Sequence, residues 1–282
     1  MKTAVHHGRA RHIIDEVIDE RAMTFRRIPY LWPAIRAVLD PVFRYPLAVE
    51  WADRLAPMNA DDALQLLDQL LPFDVRSSGI DHMPRRGPVV IIANHPTGMV
   101  DGLALRRALC GVRDDFSFFA NRDAVRIVPG LAPVIIPVEW LAERRGPERM
   151  RETLRALQAA IDAGRVIVMF PAGGMARQTW RGLKEKPWLP AVVKMVQKHR
   201  VPAIPVHIRA RNSFVYYLLS AVHKELRDLS RFYEIYGKRR ATFDLTFGAV
   251  LPASDFDGAP AVVAQRLQAF VEKDLPKGSA TP

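Results

Sequence analysis

From residue 88 onward, short β-branched runs alternate with stretches whose apolar residues recur every three or four positions. The first rhythm predicts strands and the second helices. PVVIIA (88–93) reads as a buried strand, and FSFFA (116–120), PVIIPV (133–138), RVIVMF (165–170) and VPAIPVHI (201–208) read as further strands. ATFDLTFGAV (241–250) alternates like a half-exposed one. Between them, DGLALRRALCG (101–111) is a helix with a glycine stop, and Pro147 opens another in which Met150, Leu154, Leu157 and Ile161 keep helical spacing up to Gly164. WLPAVVKMVQKH (188–199) and PAVVAQRLQAFVEKDL, from Pro260, complete the helical set. The expected fold class is α/β, a largely parallel sheet covered by helices.

Residues 1–75 break this alternation and show no strand pattern. They form an N-terminal helical extension interrupted by Pro29, Pro33, Pro41, Pro46 and Pro57, ahead of an α/β domain at 76–258 and a C-terminal helix and tail at 259–282. Within it, residues 28–58 carry Tyr30, Trp32, Phe43, Tyr45 and Trp51, flanked by Arg27, Arg36, Arg44 and Arg54. Two readings of this segment stand side by side. Amphipathic aromatics and arginines suit a membrane-docking element, with Trp32 entering an apolar environment when vesicles are added. The same rings also suit a helical cap covering one side of the sheet.

Composition narrows the partner. Forty-one Lys and Arg against thirty Asp and Glu give a net charge of +11, which points to nucleic acid, phospholipid headgroups or a phosphate-bearing substrate. Nucleic acid is not expected, because no reader motif and no basic stripe interleaved with aromatics is present. Residues 201–242 alone hold eight Lys and Arg against three acids, a density that suits anionic lipid. The single cysteine, Cys110, excludes an intramolecular disulfide framework and is expected as a small buried hydrophobe near a helix end. The amino terminus lacks an apolar h-region, and apolar stretches such as Phe214 to Val222 fall short of the ~20 residues of a spanning helix. The expected location is cytoplasmic, with peripheral contact at the inner face of the cell membrane.

Candidate chemistry begins at IIANHPTGMVDG (91–102), where a buried strand runs directly into His95. In open α/β sheets ligands bind outside the carboxyl ends of strands, so this imidazole is placed for chemistry. Asp101 lies six residues on; on one helix the two would face different ways, and they meet only if Pro96 to Gly98 folds back. A carboxylate on Nδ1 would make Nε2 a better general base. The plainer alternative is a surface-turn histidine with Asp101 as a helix-start charge. Further along, FFANRDAVRIVPGLAPVIIPV (118–138) places Arg122 and Arg126 on a basic turn between strands, and VIVMFPAGGMAR (166–177) ends a strand in a glycine turn whose N–H groups can cradle an anion. No P-loop lysine, dinucleotide fingerprint, zinc spacing or serine elbow competes.

NHPTGMVDG resembles the histidine-aspartate block of the glycerolipid and lysophospholipid acyltransferases, with five intervening residues instead of four, a form shared by a bacterial hemolysin-like subgroup. The resemblance implies His95 as base and Asp101 as its orienting partner. Arg122 and then Arg126 correspond to the family's phosphate-holding arginine. Phe170, Pro171 and Gly173, followed by Gly174, resemble the Phe-Pro-Glu-Gly-Thr-Arg block, but Ala172 replaces the glutamate and the arginine arrives late, at Arg177. Pro205 maps to the fourth block. The implied activity is transfer of a fatty acyl group from acyl-CoA or acyl carrier protein to the hydroxyl of a lysophospholipid or lysophosphatidic acid, directly and without a metal or other cofactor. The implied partners are the thioester donor, acyl carrier protein and a membrane phospholipid surface. Ala172 keeps open an amino-acid-based lyso-lipid as acceptor, and a non-catalytic basic membrane-binding protein on the same fold is the rival of another class.

Overall fold

A computed structural model describes residues 11–28, 30–139, 142–180, 182–279 and 281–282; Pro29 and the amino-terminal ten residues examined for a signal lie outside the described residues. Four helices come first: α1 (Ile13–Arg21), α2 (Leu31–Val42), α3 (Tyr45–Leu55) and α4 (Ala60–Leu70). Strand β1 (Asp74–Ser78) precedes β2 (Val89–Ala93), α5 (Met99–Leu109), β3 (Phe116–Asn121), α6 (Asp123–Ile127), β4 (Ile135–Val138), α7 (Pro147–Asp162) and β5 (Val166–Met169). A small hairpin, β6 (Arg177–Thr179) and β7 (Gly182–Lys184), leads to α8 (Ala191–His199) and β8 (Ala203–Arg209). The chain closes through α9 (Phe214–Val222), α10 (Lys224–Leu229), α11 (Arg231–Gly237), β9 (Thr242–Phe247) and α12 (Pro260–Ala269).

Seven strands form one sheet in the order β1-β9-β8-β2-β5-β3-β4. From β8 to β4 all neighbours run parallel, while β9 is antiparallel to β8 and β1 is parallel to β9. The fold is therefore α/β with a mostly parallel sheet. The centre explains why these strands read as unbroken apolar runs: Val89, Ile91 and Ala93 of β2 enter the core on one face, and Val90 and Ile92 enter the core on the other. The first face is covered by α4 and α5 through residues such as Leu64, Leu67, Leu105 and Leu109. The second is covered by α7, α8 and α12 through Leu157, Val196 and Leu267.

Three expectations change. The segment 1–75 is not a separable extension, because α4 supplies the main core and β1 begins at Asp74. That strand, DVRSS, escapes an apolar pattern search because it is a polar edge. The aromatics expected at a lipid surface mostly turn inward: Trp32 and Phe43 are buried with Ile14, Ile18 and Leu229 in a third cluster, and Trp32 Nε1 donates to Asp19 Oδ1 at 2.9 Å. Arg36 is likewise committed, to Asp15 and Asp40. Among these rings only Tyr30 is fully exposed, so the rings themselves pack as a cap, while Ile28, Leu31, Val38 and Val42 leave the outer side of the segment apolar and exposed. Cys110 is exposed, not buried, because it caps α5 where the chain leaves the helix.

The edge of the sheet where β2, β3 and β5 begin is tied by one buried side chain. Arg113 donates to the carbonyls of Pro84, Gly87 and Gly164 at 3.0, 3.0 and 2.6 Å and pairs with Asp115. These residues are the lead-ins to three adjacent strands. Arg113→Met should cost about 3 kcal/mol in urea unfolding, since three carbonyls lose a charged donor.

Candidate active site

The site is built at the opposite end of β2, and its first fixture is Asn94. Its side-chain amide donates to the Ile208 carbonyl at 2.9 Å and accepts from the Ile208 N–H at 2.6 Å, so it continues the β2–β8 ladder one residue beyond the strand. The next residue, His95, therefore leaves the sheet in a fixed direction. The chain then reverses at Pro96 to Gly98, where Gly98 takes φ 101° and ψ −140°, a region open to glycine almost alone. A Cβ there would lie 2.9 Å from Met175 Sδ, so the Met175 side chain would also have to shift.

This reversal brings Asp101, in the first turn of α5, back to the histidine. Asp101 is fully buried. Its carboxylate accepts from the Thr97 N–H at 2.9 Å, the Gly98 N–H at 3.0 Å and the Thr97 hydroxyl. Three donors at a helix N-terminus satisfy a charge that would otherwise be costly to bury. His95 Nδ1 lies 3.0 Å from Asp101 Oδ2, at ion-pair distance but off the line of a hydrogen bond. The Phe170 ring stacks on the imidazole with centroids 4.1 Å apart and an interplanar angle of 24°. With Nδ1 turned to Asp101, the remaining ring nitrogen, Nε2, is the one left for a substrate proton.

The backbone of His95 is held from both sides. Its carbonyl accepts from the Ala176 N–H at 3.0 Å, which fastens the glycine turn after β5 to the site. Its N–H donates to the carboxyl of Glu185, which also accepts from Trp188 Nε1 at 2.7 Å. Glu185 is buried, and burial pushes its pKa up from 4.5 to about 7 against the opposing pull of those two bonds. Sequence reading missed Asn94, Thr97, Met175 and Glu185. Only Thr97, as a donor in the turn next to a helix-start aspartate, carried a local signal.

The other expected residues divide. Pro171 is buried with its carbonyl accepting from Leu189, and Gly173 takes φ 63° beside Gly174, so the turn keeps its shape. Ala172 is buried in the second-face core, so the turn brings no carboxylate there. Arg177 is exposed on β6, and Pro205 is buried in β8 opposite Ile92, below the site. Arg122 and Arg126 follow β3, two strands from β2. Neither offers an open fork to a phosphate: Arg122 binds both oxygens of Glu152 at 2.9 and 2.7 Å, and Arg126 is shared by Glu16, Glu20 and Asp123. Their expected role as phosphate holders thus meets a physical obstacle, because carboxylates already fill the sites. Among the described residues no group of three or more His, Cys, Asp or Glu could hold a metal ion, and no helix is long and apolar enough to cross a membrane.

A family model described as Acyltransferase matches residues 74–209. A lyso-glycine lipid O-acyltransferase from Bacteroides thetaiotaomicron is 28% identical over 221 residues, covering 75% of this chain and 79% of that protein. One of the same description from Phocaeicola vulgatus is 29% identical over 221 residues, covering 75% and 77%. Among solved structures, the 1-acyl-sn-glycerophosphate (LPA) acyltransferase PlsC from Thermotoga maritima matches with TM-score 0.47 and 17% identity, covering 87% of this chain and 98% of that one.

Glu185 gives the site a pH signature. Between its ordinary 4.5 and about 7 the folded protein keeps a proton that the unfolded chain has released, so this group makes the fold lose stability as pH rises through that window. The full effect is on the order of 3 kcal/mol. Unfolding of wild type and Glu185→Gln in urea at several pH values should show a flatter dependence in the variant between pH ~5 and ~7. Parallel curves would mean that the carboxyl is ionised throughout.

Proposed function

We propose that this chain, whose residues 74–209 match the Acyltransferase family model, transfers a fatty acyl group from a thioester, acyl-CoA or acyl carrier protein, to the hydroxyl of a lyso-lipid. The observation that carries this reading is the strand-end imidazole of His95 beside the buried carboxylate of Asp101. His95 Nε2 takes the proton of the acceptor hydroxyl as its oxygen attacks the thioester carbonyl. The tetrahedral oxyanion collapses with cleavage of the carbon–sulfur bond, and the proton passes from the imidazolium to the departing sulfur. Asp101 keeps Nε2 aimed at the hydroxyl and stabilises the imidazolium. A thiolate leaves readily, so the step needs no acyl-enzyme intermediate.

Between the two acceptors left open by the sequence, three observations favour the amino-acid-based lyso-lipid over lysophosphatidic acid. Ala172 removes the carboxylate of the headgroup turn, Arg122 and Arg126 are occupied by acids, and both curated relatives are described as acting on lyso-glycine lipid. Purified protein given an acyl donor and a panel of lyso-lipids should acylate amino-acid-based acceptors with a kcat/KM at least about tenfold above that for lysophosphatidic acid. In the same assay His95→Ala should lose ~10³-fold or more, and Asp101→Asn ~10² to 10⁴-fold, with both variants folded. A preference for lysophosphatidic acid would reverse the acceptor assignment, and full turnover by folded His95→Ala would remove the mechanism.

A further inference from the structure

Helix α9 faces two ways. Tyr216, on its inner side, is 2% exposed, and its hydroxyl lies 3.6 Å from Met175 Sδ, the atom packed against Gly98. Asn212, just before the helix, donates to the Pro96 carbonyl at 3.5 Å, and its own N–H donates to the Tyr217 hydroxyl at 3.1 Å. The inner side of α9 is thus a wall of the His95 loop. Phe214 and Leu218 are each two residues from Tyr216, a rotation of about 200°, and so point the opposite way. Phe214, Leu218 and Val222 are 79%, 52% and 68% exposed, and their spacing of four sets them in one line along the helix. The hairpin packs against α9 through β6, and its turn carries Trp180, 87% exposed. Aligned large apolar side chains at a surface mark an interaction site, unlike scattered ones.

The surroundings of the stripe say what covers it. The sequence has no acid from residue 209 to 224 or from 173 to 184, and in these stretches Arg177, Lys184, Arg211 and Lys224 are exposed. The nearest acids along the chain are turned away: Glu185 accepts from the His95 N–H and Trp188, Glu225 accepts from Thr24, Asp228 pairs with Arg227 and Arg231, and Glu234 pairs with Lys238. An apolar line inside a cationic rim complements acyl chains beneath anionic headgroups. A second copy of the chain would bring one cationic rim against another. We propose that the outer face of α9, with the tip of the β6–β7 hairpin, docks the protein on an anionic phospholipid bilayer. The inference deepens the lyso-lipid reading and rests on it: a bilayer against Phe214, Leu218 and Val222 lies about one helix diameter, ~10 Å, from the His95 loop.

Sedimentation with vesicles of phosphatidylglycerol and phosphatidylcholine tests this without reference to turnover. Wild type should bind, bind less in high salt, and show a blue shift in tryptophan fluorescence that Trp180→Phe diminishes. The triple variant Phe214→Ser, Leu218→Gln, Val222→Gln should bind at least about tenfold more weakly, with an unchanged melting temperature. Met150→Gln with Leu154→Gln, which alters exposed apolar residues of α7, should bind like wild type. Undiminished binding by the triple variant overturns the proposal, as does a wild type that ignores vesicles or a wild-type dimer that the triple variant dissociates. Failure of the enzyme to acylate any lyso-lipid while it binds through α9 would instead overturn the functional reading alone.

Discussion

The site depends on one buried charge. Asp101 is removed from water at the start of α5, and the cost of that burial is offset by donors from Thr97 and Gly98, residues of the very turn that carries His95. The carboxylate therefore does two things at once. It closes the reversal between strand and helix, and it sets a negative group 3.0 Å from the imidazole. Folding of the loop and placement of the imidazole are the same event.

Around that charge the rest of the sheet acts as a holder. Asn94 clamps the end of β2 to β8, Ala176 grips the His95 carbonyl, Glu185 grips its N–H, and Phe170 covers the ring. Each grip comes from a different segment of the chain. The imidazole is consequently positioned to a tolerance that a loop alone would not supply, as the proposed proton transfer requires. The glycine turn after β5 contributes through its backbone, and so it keeps its place although Ala172 stands where the related motif has a glutamate.

Much of this was legible in sequence because the central strands are buried on both faces and announce themselves as unbroken apolar runs, as VVIIA and VIVM do. His95 and Asp101 were legible from spacing and strand-end placement. What stayed hidden was long-range. Glu185 lies 90 residues from His95, and the Asn94 amide finds its partner 114 residues away, so no local pattern could pair them. Polar β1 and the short hairpin lack an apolar rhythm. Trp32 and Phe43 were ambiguous because aromatic rings suit lipid and protein interiors equally; only packing shows that these two belong to the latter. The arginines of the second block misled similarly, since a charge in sequence does not reveal that Glu152 or Glu20 already answers it.

The central claim is that Asp101 holds the imidazole with Nε2 free to act as base. Nitrogen-15 NMR of the His95 ring in the resting protein addresses it directly. In its neutral form the ring should carry its proton on Nδ1, with that preference lost in Asp101→Asn. A ring protonated on Nε2 in the wild type, or one whose tautomer is indifferent to Asp101, would contradict it.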